Sequence, residues 1–139
     1  MGSSCYKLLS ISKTWQDAEN HCQKEGGHLT SIHSPEEQNL VVSLHSGSFW
    51  AGGSDLDTEG NWKWTDNTSL SFTDWRKEEP NGGETENCLE LIRVENSFWN
   101  DRQCSDPLYF ICKISSGNYH SSKTMFIVTT PTQSQHNLS

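Results

Sequence analysis

Five cysteines in a chain of 139 residues constrain its fold more than any other feature, and they are Cys5, Cys22, Cys88, Cys104 and Cys112. Only 32% of the residues are hydrophobic, which leaves a modest core for one domain of this length. Disulfide bonds would add stability, and their use indicates an oxidising setting, either extracellular or secreted. The sequence alone leaves the pairing open, and an odd number of cysteines leaves at least one without an intrachain partner.

The first third of the chain carries two helix signals. Thr14 begins the first helix, and the glycine pair at residues 26–27 ends it. Ser34 caps the second, with Pro35 in its first turn and Glu37 at the capping-box position. The sequence therefore predicts two helices before residue 45.

Beyond Gly47 the pattern changes to short strand-like runs separated by polar turns, at residues 49–51, 62–64, 89–94 and 108–112. Helices followed by strands predict an α+β fold. Aromatic rings bury large areas, so we expect four of the six tryptophans to fill the core: Trp50, Trp62, Trp64 and Trp99.

Two polar segments lie outside these runs. Residues 53–87 form a long loop, and a loop of that length is usually functional or disordered. Residues 114–139 are rich in Ser, Thr, Asn and Gln, which predicts a flexible tail or linker after a domain at residues 5–113. No apolar run is long enough for a signal peptide or a membrane span, so we expect no direct membrane insertion, and the chain is consistent with a fragment of a larger protein. Asn67 and Asn137 each open a glycosylation acceptor triplet, a pattern also common by chance.

Five oxygen-bearing side chains lie close in sequence to Cys88 and Cys104: Glu79, Asn81, Glu86, Asn100 and Asp101. Ca²⁺ is a hard cation that takes about six to eight oxygen ligands, and all five are carboxylates or amides. A ligating amide still has an NH₂ group to donate, whereas a carboxylate accepts. A sugar hydroxyl between the two types could bond both and also reach the ion. The same five residues are therefore the candidate sugar-binding residues, although acid-rich and Asn-rich loops are also typical of solvated turns.

At this point the chain resembles a C-type lectin domain of the Glu-Pro-Asn, mannose-binding class. The resemblance extends from residue 5 to residue 113. Its landmarks keep the family order: the helix segment at residues 18–22, the strand at residues 50–53, Trp62 and Trp64, Trp75, the Glu79-Pro80-Asn81 motif, and Trp99-Asn100-Asp101. Any one tripeptide alone would be a weak signal.

The resemblance implies a C-type lectin-like fold with two helices, small antiparallel sheets, a long calcium-binding loop and disulfide staples. It implies that the principal calcium is bound by Glu79, Asn81, Glu86, Asn100 and Asp101. It also implies a cis bond before Pro80. Arg102 and Gln103, just after the ligands, are the nearest candidates for secondary sugar contacts. Asp55 and Glu59, together with Glu86, match an auxiliary calcium site, in which Gly82 replaces an acid.

The resemblance favours two disulfides, Cys22 with Cys112 and Cys88 with Cys104, and leaves Cys5 unpaired. In longer relatives the equivalent of Cys5 pairs with a cysteine further upstream. A fortuitous free thiol and an intermolecular bond are the alternatives.

The function implied is calcium-dependent, non-catalytic recognition of terminal mannose, fucose or N-acetylglucosamine. The partners expected are mannose-type glycans, with equatorial 3- and 4-hydroxyls. Weak binding to one monosaccharide predicts several copies, by oligomerisation or within a larger multidomain protein. The alternative is a sugar-independent protein-binding module of the same fold.

Other functions fit less well. A hydrolase could use Glu79 and Glu86 as acid and base, but calcium would keep both ionised. A zinc site from His21, His28 and His33 lacks the usual ligand spacing. A net charge of -8 disfavours nucleic acid and anionic membranes as partners.

Overall fold

The computed structural model describes residues 3–76, 79–94, 97–115 and 125–129. The helices are α1 (Trp15–Lys24) and α2 (Pro35–Val42), with a short 3-10 turn at Gly83–Thr85. The strands are β1 (Ser3–Lys13), β2 (His28–Leu29), β3 (Phe49–Ser54), β4 (Lys63–Trp64), β5 (Cys88–Val94), β6 (Ser97–Arg102), β7 (Leu108–Ser115) and β8 (Met125–Thr129).

Both helices begin where side-chain caps predict. The Thr14 hydroxyl accepts a hydrogen bond from the Asp17 backbone N–H at 3.3 Å, and the Ser34 hydroxyl accepts one from the Glu37 N–H at 3.1 Å. Such caps satisfy backbone donors that have no partner inside the first turn. The first helix ends before Gly26, whose φ of 93° is a conformation that glycine adopts readily.

The α+β fold with two helices is confirmed in the described part of the chain, and its strands join into one mixed sheet of eight strands where small antiparallel sheets were expected. Its main order is β6-β5-β3-β7-β1-β8, with β2 paired to β7 and β4 paired to β3. The β3–β7 pair is parallel, because the chain crosses over between them, while the other pairs are antiparallel. This arrangement places β5 and β6 at one edge of the main order.

Neighbouring residues on the strands belong to two different core clusters, since successive side chains point to opposite faces of a sheet. One cluster contains Trp15 of α1 with Trp50 and Phe110. The other contains Val41 of α2 with Trp64, Leu89, Trp99 and Ile111. Of the four tryptophans predicted in the core, Trp50, Trp64 and Trp99 are buried and Trp62 is half-buried.

Trp99 lies at the centre of an aromatic cluster. Its ring centroid is 5.4 Å from that of Trp64 and 5.4 Å from that of Trp75, both in edge-on orientation. Its Nε1 donates to Gln38 Oε1 of α2 at 2.7 Å. The same strand holds the long loop, because the Trp99 carbonyl accepts from Arg76 N at 2.9 Å. The fold thus fixes the long loop against β6 at Arg76.

Two disulfides join the pairs that the resemblance favours, Cys22 with Cys112 and Cys88 with Cys104. The first joins α1 to β7, and the second joins the start of β5 to the turn after β6. Cys5 is a free thiol, fully buried in β1. Burial raises its pKa, which favours the protonated form.

The segment after residue 113 differs in part from the predicted flexible tail. Strand β7 continues to Ser115, and Met125–Thr129 pairs with β1 as β8. The Asn137 acceptor triplet lies outside the described residues, and the domain boundary at residue 113 stays a prediction. Neither helix in the described part of the chain has the length and apolar character needed to cross a membrane.

Candidate functional site

Asp101 joins the long loop to β6. It lies on β6 opposite Leu89 of β5, and only 1% of its surface is exposed. Its Oδ1 accepts a hydrogen bond from Asn81 N at 3.1 Å, and its Oδ2 accepts one from Gly82 N at 2.7 Å. A single carboxylate therefore holds the Glu79-Pro80-Asn81 segment over the strand.

Glu79 lies beside this carboxylate. The Glu79–Pro80 bond is cis, as the resemblance implies, and Asn81 Nδ2 donates to Glu79 Oε2 at 3.3 Å. Glu79 Oε1 is buried without a hydrogen-bond partner among the described residues. Burial, followed by the proximity and charge of Asp101 and by the charge of Glu86, raises the pKa of Glu79 to about 7, against an opposing effect of Arg76. Neighbouring acids thus disfavour its ionised form.

Glu86 belongs to the same group of acids. Its pKa is raised by burial and by the charges of Asp101, Glu90 and Asp106, although Arg102 opposes them. The side chain packs on Gly82, where an added Cβ would lie 2.3 Å from Glu86 Cβ and 2.5 Å from its Oε1. Gly82, which stands where the resemblance implies an acid, therefore leaves the space that the Glu86 side chain occupies.

Asn100 is oriented by a residue that the sequence analysis missed. Its Nδ2 donates to Glu90 Oε1 at 2.9 Å, and Glu90 is 2% exposed. Arg102 Nη1 donates to Glu90 Oε2 at 2.6 Å, while Arg102 Nε donates to Asp106 Oδ2 at 2.9 Å. The structure therefore places the Arg102 guanidinium, predicted as a sugar contact, inside an ion-pair network. Gln103, the other predicted secondary contact, is exposed.

Asp55 and Glu59 lie together, next to a second missed residue. Asp55 is 3% exposed, and its Oδ2 accepts from Gly60 N at 2.9 Å. Its Oδ1 and the Oδ1 of Asn87 are buried without hydrogen-bond partners among the described residues. Desolvation and the charge and hydrogen bond of Asp55 raise the pKa of the exposed Glu59. Adjacency to Glu86 was the only signal that could have identified Asn87.

The donor set fits calcium by its chemistry. Buried, unpaired oxygens at Glu79, Asp55 and Asn87, and carboxyl groups whose mutual repulsion favours protonation, are features that a divalent cation would relieve. Within the described ranges, no three His, Cys, Asp or Glu side chains are grouped so that they could hold a metal ion by themselves. A calcium ion at this position would therefore also need amide oxygens, such as those of Asn81 and Asn100.

The three histidines of the zinc alternative have separate partners. His21 and His28 contact Glu25 and Glu19, at 3.2 Å and 2.7 Å, and His33 Nε2 lies 2.9 Å from the Thr68 hydroxyl. These contacts direct the three rings to different carboxylates and hydroxyls, and no shared metal position results.

The fold and these contacts agree with a family assignment. The family model described as "Lectin C-type domain" matches residues 11–114, which is well over half of the chain. The chain therefore belongs to the C-type lectin domain family, which is non-catalytic.

Two relatives with similar sequences illustrate the range of proteins that contain this domain. The chain is 36% identical over 129 residues to the alpha-N-acetylgalactosamine-specific lectin of Patiria pectinifera, covering 83% of this chain and 76% of that lectin. It is 36% identical over 115 residues to the human C-type mannose receptor 2, covering 79% of this chain but only 8% of the receptor. Similarity to the receptor is thus limited to a small part of that protein.

Two solved structures share the fold. Herring type II antifreeze protein matches with a TM-score of 0.78 and 33% identity, over 83% of this chain and 93% of that one. The carbohydrate-recognition domain of cow CD23, solved in the presence of a GlcNAc2Man3 oligosaccharide, matches with a TM-score of 0.75 and 35% identity, over 81% and 88% of the two chains. Family membership alone therefore does not fix what the site binds.

Proposed function

We propose that this domain binds glycans through a calcium ion held by Glu79, Asn81, Glu86, Asn100 and Asp101. The observation that carries the proposal is the buried, unpartnered Oε1 of Glu79. Nearby acids, Asp101 above all, add to burial in raising the pKa values of Glu79 and Glu86. A bound Ca²⁺ would supply the positive charge that stabilises all three carboxylates in their ionised form.

The amides and acids of the set support sugar recognition. A ligand carboxylate has lone pairs left to accept a hydrogen bond from a sugar hydroxyl, and a ligand amide has N–H groups to donate to it. The Glu79 and Asn81 side chains already lie 3.3 Å apart at the nearest oxygen and nitrogen, so one hydroxyl could contact both. Fixed donors and acceptors select the hydroxyl geometry.

The glycans proposed are of the mannose type, with equatorial 3- and 4-hydroxyls. This specificity rests on the Glu79-Pro80-Asn81 order, since the resemblance links that order to mannose, fucose and N-acetylglucosamine. One relative is named as an alpha-N-acetylgalactosamine-specific lectin, so galactose-type sugars belong in every specificity test. Asp55, Glu59 and Glu86, with Asn87, are proposed as the auxiliary calcium site.

Thermal unfolding tests the function directly. The melting temperature is measured with EDTA, with calcium, with mannose or N-acetylgalactosamine, and with calcium together with each sugar. A ligand that binds only the folded state stabilises it by mass action, so calcium should raise the melting temperature and mannose should raise it further only when calcium is present. A calcium shift without any sugar shift would instead support the sugar-independent protein-binding module.

A double substitution tests the specificity. Glu79→Gln with Asn81→Asp exchanges the acceptor and the donor while keeping the total charge and nearly the same volume. Mannose binding should weaken and galactose binding should strengthen, as measured on a glycan array with calcium. An unchanged preference in a variant that still binds calcium would refute the proposed hydroxyl geometry.

We also propose that the domain works outside the cell, as a secreted protein or the ectodomain of a membrane protein, with several copies acting together. Two disulfides support an oxidising setting. Water competes with a sugar for every polar contact at such a site, so affinity for one sugar should be weak, and linked copies multiply that affinity through effective concentration.

A further inference from the structure

Glu90 is a buried carboxylate next to the proposed calcium ligands. It lies on β5 directly opposite Asn100 of β6, and 2% of its surface is exposed. Charged side chains are rarely buried unless they are paired and hydrogen-bonded. Here both oxygens have partners: Oε1 accepts from Asn100 Nδ2 at 2.9 Å and Oε2 accepts from Arg102 Nη1 at 2.6 Å.

The ion pair with Arg102 fixes the Glu90 carboxylate in place through Oε2. Arg102 is held in turn by Asp106, whose Oδ2 accepts from Arg102 Nε at 2.9 Å. Since Glu90 Oε1 accepts from Asn100 Nδ2, the Asn100 side chain presents its NH₂ group to Glu90. Its carbonyl oxygen, which lies on the opposite side of the amide carbon from the NH₂ group, then points away from Glu90 Oε1.

We propose that Glu90 is the positioning residue of the calcium and sugar site, because it fixes the orientation of the Asn100 amide. This inference rests on the proposed function. One N–H of Asn100 is used by Glu90, the carbonyl oxygen is directed to the metal position, and the second N–H stays available for a sugar hydroxyl. Partners in the outer shell of a metal site commonly orient the ligands in this way.

The alternative is that Glu90 acts only by its charge or by packing. A charge would attract calcium whatever residue stood at position 100, whereas a positioning residue acts through Asn100 alone. The two explanations therefore differ in how substitutions at the two positions combine.

The test is a double-mutant cycle with Glu90→Gln, Asn100→Ala and the double variant. Calorimetry measures the calcium Kd of each protein. We expect Glu90→Gln to weaken calcium binding about tenfold or more, the range typical for losing an outer-shell partner. In the Asn100→Ala protein the same substitution should change the Kd by less than about twofold, since its target is absent. Equal effects in both backgrounds would overturn the inference.

A second readout separates orientation from attraction of the ion. At saturating calcium, Glu90→Gln should still reduce mannose affinity by about tenfold, because a misoriented amide loses one hydrogen bond to the sugar. Unchanged mannose affinity under that condition would contradict the positioning role. If the wild-type protein binds no calcium, the proposed function itself fails, and the cycle is not needed to show it.

Two controls address folding. Glu19→Gln is the matched variant, because Glu19 is also a buried carboxylate, 3% exposed, and bonds Leu29 N and the Thr65 hydroxyl away from the site. Its calcium Kd should equal that of wild type. If Glu90→Gln fails to fold, NMR of the wild-type protein decides: one Asn100 side-chain N–H, assigned from the signals missing in Asn100→Ala, should be protected from hydrogen exchange without sugar. Free exchange of both protons would refute the proposal.

Discussion

The proton on Glu79 should compete with calcium near neutral pH. Burial and the neighbouring acids raise the pKa of Glu79 to about 7 in the metal-free protein. Calcium needs the ionised carboxylate, so each binding event at lower pH must release a proton from this group. Lowering the pH from 8 to 6 should therefore protonate Glu79, a proposed calcium ligand.

The magnitude follows from the titration. With a pKa of about 7, Glu79 is about 90% ionised at pH 8 and about 10% ionised at pH 6. Glu79 alone should thus lower calcium affinity about tenfold across this range, which corresponds to roughly 1.4 kcal/mol. Glu86 should add to the loss, since its pKa is raised as well.

Calorimetry in two buffers with different ionisation enthalpies measures both the calcium affinity and the number of protons released. We expect proton release close to one at pH 6 and near zero at pH 8. Glu79→Gln should bind calcium more weakly and lose most of the pH dependence between these values. The same Kd at pH 6 and pH 8, in protein that binds calcium, would refute the reasoning.

The stability of the calcium-free protein should respond with the opposite sign. A carboxylate whose pKa is raised on folding contributes stability below its unfolded value, and this contribution is lost as pH rises through about 7. The melting temperature in EDTA should therefore decline between pH 5 and pH 8 by a contribution that is absent in Glu79→Gln. With saturating calcium the decline should disappear.

Two further perturbations test the shape of the site. Gly82→Ala should weaken calcium binding, because the new Cβ would lie 2.3 Å from Glu86 Cβ, whereas Gly83→Asn should bind nearly as wild type, since Gly83 faces open space and asparagine tolerates its φ of 57°. Equal calcium Kd values for the two variants would show that Glu86 is not displaced. Replacing both Cys88 and Cys104 by Ala opens a bridge of 16 residues separation, so chemical denaturation should show a loss of about 3 kcal/mol, together with weaker calcium binding. Retention of full stability would contradict the role of this bridge.

The elements with strong local signals could be predicted from the sequence. Thr14 and Ser34 cap the two helices through their own hydroxyls, so a few adjacent residues carried the information. Strands β1 and β6 lack a strong local signal. Lys7 and Ser10 interrupt any apolar run in β1, and β6 contains the polar residues Asn100 and Asp101. Their pairing depends on partners distant in the chain, as in the pairing of β1 with β7.

The candidate site also contains residues that the local sequence identifies and residues that only the tertiary structure identifies. The five proposed ligands carry oxygen donors that can be identified one by one along the chain. Glu90 and Asp106 could not be found like this, since Glu90 meets Asn100 only through the register of β5 and β6, and Asp106 acts through Arg102. A contact between strands is a property of their alignment, which local sequence patterns do not encode.

Trp99 immediately precedes Asn100, and its buried ring lies edge-on to Trp64 and Trp75. The indole environment is therefore coupled to the strand that carries two proposed ligands. The intrinsic fluorescence of this cluster should therefore respond to changes in β6. Calcium binding at the ligand loop could then be followed in real time without attaching a dye.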